Sequence, residues 1–163
     1  MCPLDASDHG AAERLLADLL ASAAHALTQG FAQELHRRGT SLPVWRVLAT
    51  LLARPGETVS GLAEASLLQQ PTMSKLLDRM VRDGLVTCSQ DARDRRVVHV
   101  ALTPEGEAKA VRLVAAAERY EAELLARHPQ AEGIKPELRD IIARSGPAPR
   151  HGGGGRGEGE GGA

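Results

Sequence analysis

Eight side chains between residues 70 and 96 have the chemistry to engage a nucleic acid: Gln70, Thr72, Ser74, Lys75 and Arg79 in one run, and Arg93, Arg95 and Arg96 in a second. Amides, hydroxyls and cationic groups donate to base edges and phosphate oxygens. Arginines also suit the narrow minor groove, where negative potential is focused. The first run is interleaved with Met73, Leu76, Leu77 and Met80, spaced as one face of a helix. These apolar residues would form a back. The polar ones would form a front near the helix N-terminus, where free backbone N–H groups favour phosphate. A helix whose outer face is merely solvated is the commoner object, so the segment after the helix is decisive. That segment holds a polar turn, "QDARD", between two β-forming stretches, with the three arginines at its tip.

Other chemistries find little support. Cys2 and Cys88 form no CxxC pair, and the histidines are scattered without metal-ligand spacing, so no metal or cofactor is expected. Cys88 reads as a small core filler. There is no nucleophile elbow, phosphate loop or HExxH, so no enzyme is expected. Phe31, Trp45 and Tyr120 are the only aromatics, too few for the stacking platforms of RNA and single-strand binders. A formal net charge of −1 gives no whole-molecule attraction to nucleic acid, so any basic surface must be local. From Pro43 to Pro104, eight Lys/Arg stand against six Asp/Glu, which suits a few placed contacts rather than a nonspecific coat. His25, His36 and Trp45 are the candidates for lining a small-molecule pocket, with core packing the stronger reading for Trp45.

The elements that must position these side chains can be read from the apolar periodicity. Ala11 to Arg38 repeats leucines and alanines at helical spacing, with Gly30 a weak point. Pro43 fits the first turn of a second helix ending near Ala53. Thr58 caps a short third helix, Pro71 opens a fourth and Gly84 ends it. The period then changes. Leu85–Ser89 and Arg95–Leu102 read as two strands of a hairpin. Thr103 and Pro104 start a long helix, expected to stop near His128, and a last helix holds Leu138, Ile141 and Ile142. The N-terminus has no cationic flank before an apolar run, and no uncharged apolar stretch is long enough to span a bilayer. A soluble cytoplasmic protein without signal peptide or membrane span is expected.

Helix, short helix, turn, helix and hairpin is the winged helix-turn-helix order. The segment "VWRVLATLLARPGETVSGLAEASLLQQPTMSKLLDRMVRDGLVTCSQDARDRRVVHVALTPEG", Val44 to Gly106, closely resembles the MarR family of bacterial transcription regulators. Its most specific part is the wing, "DARDRRVVHVALTPEG", and "SKLLDRMVRDGLV" is similar to the end of that family's recognition helix. The resemblance implies a mainly α-helical fold with a small β-hairpin wing, in which a winged helix-turn-helix is flanked by N- and C-terminal dimerisation helices. It implies a homodimer that binds double-stranded DNA at a palindromic operator, represses, and is released by a small ligand.

The implied organisation is one domain over 1–145, with dimerisation helices at 11–38 and 103–145 and a DNA-binding module at 43–102. Composition adds a disordered glycine-rich tail over 146–163. The resemblance also places the groove arginine in the pair Asp94-Arg95-Arg96, with Arg95 and Arg96 both open. One wing arginine is expected to be held by an aspartate while another reaches the groove. Asp78 is expected to orient Arg79 or Arg82. Two positions depart from the family pattern: Leu67 stands where the inter-helix turn usually has glycine, and Ser66 where an apolar residue is usual. The alternative reading is a winged-helix module for protein contacts alone, which would not need three arginines at its hairpin tip.

Overall fold

The computed structural model describes residues 15–145. The expected helix start at Ala11, the glycine-rich tail from Gly146 and Cys2 lie outside them. The described residues form α1 (Leu16–Arg37), α2 (Leu42–Ala53), α3 (Val59–Ala65), α4 (Gln70–Arg82), β1 (Val86–Gln90), β2 (Val98–Leu102), α5 (Pro104–Arg127) and α6 (Ala131–Ser145). They fall into two compact units that divide within α5, between Glu121 and Ala122.

The first unit packs one leucine- and methionine-rich core. Leu35 comes from α1, Val47, Leu48 and Leu51 from α2, Leu62 from α3, and Met73, Leu77 and Met80 from α4. Full burial of a side chain of this size contributes about 1.5–3 kcal/mol. The three aromatics of the chain also meet here: the Phe31 ring lies 5.5 Å from that of Trp45, edge to face, and 5.4 Å from that of Tyr120. α1 runs unbroken through Gly30, and a side chain there would collide with the Tyr120 hydroxyl. That hydroxyl donates to the Leu27 carbonyl at 3.3 Å. Glycine at 30 is therefore a seat for Tyr120 rather than a weak point.

The two strands pair antiparallel, with Val86 opposite Leu102 and Gln90 opposite Val98. The α2–α3 connection lies along the other edge of β2, where Thr58 bridges His99 and the Val100 N–H donates to the Glu57 carbonyl at 2.9 Å. β2 starts at Val98, three residues later than the expected start at Arg95. The reason is local: Asp94 takes the Arg96 N–H at 2.9 Å, removing a donor the ladder would need. Cys88 is exposed, not a core filler. Only Val86 of β1 is buried: β1 is the outer strand, while β2 lies between it and the α2–α3 connection and keeps Val100, opposite Cys88, in the core.

Caps fall where the sequence puts them. Thr58 accepts from the Gly61 N–H at 3.1 Å and Thr103 from the Gly106 N–H at 3.0 Å. The Thr103 hydroxyl also donates to the Gly84 carbonyl at 2.5 Å, fastening the start of α5 to the end of α4. Three helices end alike. After α1, α3 and α4 the chain turns through a residue with positive φ: Gly39 (64°), Leu67 (56°) and Gly84 (70°). In α3 the Leu67 N–H reaches the Glu64 carbonyl and the Leu68 N–H reaches the Ala63 carbonyl, the two-bond Schellman closure. The helix-turn-helix turn thus keeps its glycine geometry with a leucine in it, and Leu67 is 81% exposed. Beside it Ser66 is buried with its Oγ unpaired, while its carbonyl accepts from Arg46 at 3.0 Å.

On α1, Leu15 at its N-cap, Leu16, Leu19 and Leu27 are exposed. In the second unit, α6 exposes Ile134, Ile141 and Ile142 and carries ion pairs from Lys135 to Glu132 (2.7 Å) and from Arg144 to Asp140 (2.8 Å). Among the described residues no helix is long and apolar enough to cross a membrane.

The two departures at the turn are each expected to cost stability. Leu67→Gly relieves the left-handed backbone and should raise unfolding stability by about 1 kcal/mol. Ser66→Ala removes an unsatisfied buried hydroxyl and should add about 1 kcal/mol more. Urea denaturation of both variants checks this; a lower midpoint for Leu67→Gly would contradict the strain assigned to the turn.

Candidate nucleic-acid interface

The site is built on α4. Met73 and Met80 are fully buried and Leu77 nearly so, which fixes the rotation of the helix about its axis. Gln70, Thr72, Ser74, Lys75 and Arg79 are in consequence all exposed. The structure divides this front into two sides. Gln70 and Ser74, one turn apart, face a cleft of ≈ 320 Å³ shared with Thr58, Ser60, Arg96 and Val98. Thr72, Lys75 and Arg79 face a second cleft of ≈ 270 Å³ with Ser41 and Pro43 at the start of α2 and Leu68 in the turn before α4. Arg96 therefore sits where the wing meets the helix. Arg93 and Arg95 lie on the exposed tip. Gln70 is tethered: its amide donates to the Ser60 hydroxyl at 2.6 Å, tying α4 to α3.

The aspartates do not hold the wing arginines as expected. Asp91 Oδ1 accepts from the backbone N–H of Arg93 at 2.7 Å and of Asp94 at 3.0 Å, and Asp94 Oδ1 accepts from the backbone N–H of Arg96. Short aspartate side chains reach nearby backbone donors more readily than a long guanidinium. Among the described residues the guanidinium groups of Arg93, Arg95 and Arg96 have no ion-pair partner. Asp78 likewise offers Arg82 its backbone carbonyl, at 3.3 Å, rather than its carboxylate.

Three groups around the wing have shifted acidity. The backbone donors of Asp94 and Arg93, then His99, hold the Asp91 carboxyl below its usual value. The Gly56 carbonyl and then Asp91 raise His99. Partial desolvation by neighbouring atoms, then Asp78, pushes the thiol of the exposed Cys88 up, so little reactive thiolate is present at neutral pH. Among the described residues no His/Cys/Asp/Glu cluster could hold a metal ion.

The candidate ligand residues are dispersed. His36 lines an open cleft on α1 with Gln29, Ala32, Gln33 and Arg37. His25 is exposed beside Gln29. Trp45 is partly buried against the core. Sequence reasoning missed Ser60 as the tether of Gln70, and the Gly56–His99–Asp91 chain. The Asp91 turn has a local signature, an aspartate with donors two and three residues on, but nothing local pairs His99 with Gly56.

Residues 40–98 match the MarR family model. A crystal structure of a MarR family transcriptional regulator from Silicibacter pomeroyi superposes with a TM-score of 0.70 at 33% identity, over 80% of this chain and 97% of that one. The transcriptional regulator HosA of Escherichia coli is 35% identical over 88 residues, covering 51% of this chain and 65% of HosA. The homoprotocatechuate degradative operon repressor of Escherichia coli is 34% identical over 64 residues, covering 39% of this chain. The match spans only 43% of that repressor's length.

The aspartate clamp makes a direct expectation. In Asp91→Ala the amides of Arg93 and Asp94 lose their acceptor and should exchange hydrogen at least about tenfold faster, while core amides keep their protection. Equal exchange in both proteins would show that Asp91 does not order the tip.

Proposed function

The chain belongs to the MarR family of transcriptional regulators, and on that premise we propose that it binds palindromic double-stranded DNA as a cytoplasmic homodimer and represses transcription until a small molecule releases it. The observation that carries DNA binding is the pairing on one unit of a rigidly backed polar helix with three wing arginines that have no ion-pair partner among the described residues. A major groove admits such a helix, and its residues reach base edges while backbone contacts fix the register. Ser74 and Lys75 are the proposed base-edge or adjacent phosphate contacts, with Gln70, Thr72 and Arg79 beside them. Arg93, Arg95 and Arg96 are the proposed minor-groove and backbone contacts. Repression is supported by the resemblance to a protein named an operon repressor. The proposed effector contacts are His25, His36 and Trp45, of which His36 lines an open cleft.

Dimerisation rests on the exposed leucines of α1 and isoleucines of α6, apolar area that water disfavours. Two copies would set two recognition helices one DNA turn apart, about 34 Å. Sedimentation at micromolar concentration should give a dimer, and Leu19→Glu should shift it toward monomer. A stable folded monomer of the parent protein would remove this part of the proposal.

The DNA reading is tested by selecting bound duplexes from a random-sequence pool and measuring affinities across a salt series. Ser74→Ala and Lys75→Ala should lower the preference for selected over random duplex by about 1–3 kcal/mol per half-site. Arg95→Ala and Arg96→Ala should weaken both duplexes alike and reduce the salt slope by about one per lost contact. Recovery of no preferred duplex, with wing variants equal to the parent at every salt, would instead favour a protein-contact module.

A further inference from the structure

His99 occupies a junction that the DNA-contacting residues do not explain. It lies on β2, half-exposed, with both ring nitrogens engaged. Nδ1 is 2.8 Å from the Gly56 carbonyl on the α2–α3 connection, and Nε2 is 3.2 Å from Asp91 Oδ2 on the wing. A carbonyl oxygen can only accept, and an ionised carboxylate can only accept. Both bonds therefore exist together only when both nitrogens carry hydrogen, as imidazolium. Asp91 is occupied on its other side too, since Oδ1 holds the tip backbone at Arg93 and Asp94. One carboxylate thus joins the tip that carries three arginines to a ring anchored on the helical body.

Building on the DNA-binding reading above, we propose that His99 is a positioning residue for the wing, a proton-dependent latch that fixes the tip when charged and frees it when neutral. In the neutral ring one nitrogen is a bare lone pair facing an oxygen lone pair. Either the Gly56 bond or the Asp91 bond then fails, and the tip is no longer tied to the body through this ring. A loosened tip must be ordered on binding, which lowers affinity.

The charged groups acting on His99 are Asp91 from the wing and Glu57 from the α2–α3 connection. Glu57 is itself paired with Arg54 at 3.1 Å. The residue opposite on β1 is the uncharged Ser89. Asp91 is held below its usual value and stays ionised through the range in which histidine titrates. His99 is raised above the ordinary histidine value. The latch is therefore fully present below the ordinary histidine value and is lost as pH rises through the raised one. DNA affinity should fall in the same window.

The first measurement needs no DNA. NMR titration of the intact protein should place the His99 transition above that of an ordinary histidine. The amides of Arg93 and Asp94 should shift with the same midpoint. A transition at or below the ordinary value, or tip amides that ignore it, overturns the proposal.

The second measures affinity for a duplex recovered by selection, at about pH 6 and about pH 8, the span in which histidine is the side chain that changes charge. Beyond any change shared with His99→Gln, the parent should bind roughly two- to fivefold more weakly at the higher pH, in line with a partly exposed charged contact. Gln can donate one of the two bonds and does not titrate, so its profile should lack this component. An unchanged pH profile in His99→Gln overturns the latch alone. Failure of the parent to bind any duplex at either pH overturns the DNA reading and this proposal together.

Discussion

The burial of Met73, Leu77 and Met80 is the constraint on which the remaining geometry depends. A helix of this length has no fixed rotation of its own. Its rotation is set by which side chains leave water. Three large apolar residues at helical spacing, pressed against the core supplied by α1, α2 and α3, admit one solution. The polar residues on the other side are then presented outward by the rotation of the helix itself. The front needs no hydrogen-bonded scaffold, and among its residues only Gln70, bonded to Ser60, has one.

The same economy operates at the helix ends. Gly84 turns the chain from α4 directly into β1, and Thr103 brings α5 back onto that turn through the Gly84 carbonyl. Gly106 allows this approach, since a side chain there would strike the Leu85 carbonyl. α4, the wing and the helix leading out of the module thus share one junction a few residues long. Leu67 shows that the closure is dictated by hydrogen bonding more strongly than by residue preference. Two backbone bonds hold a left-handed conformation that leucine disfavours by about 1–2 kcal/mol.

Much of this was legible in the sequence, because it is written in local patterns. The caps at Thr58 and Thr103, the stop at Gly84 and the buried stripe of α4 each need only a few neighbouring residues to be read. The two departures at Ser66 and Leu67 were visible as well, and both became physical features: a buried orphan hydroxyl and a strained turn. What escaped depends on partners distant in the chain or on the edge of the core. Cys88 alternates correctly for burial, but the core side at that level is filled from the other strand, by Val100 opposite it. Pairing of His99 with Gly56 joins residues brought together only by folding. Where the aspartates would spend their hydrogen bonds was misjudged, because backbone donors closer in sequence outcompete the arginine side chains.

The meeting of Phe31, Trp45 and Tyr120 has an optical consequence. Trp45 is the sole indole of the chain and Tyr120 its sole phenol. Ultraviolet emission therefore comes from one joint, where α1, α2 and α5 come together, and from no other place. Light from this protein reports the seam between the long helices and the helix-turn-helix, without dye or label. The front of α4 and the wing are spectroscopically silent, so a ligand that does not itself absorb near the ultraviolet and yet changes the emission has altered that seam, either by touching it or by moving the helices that form it.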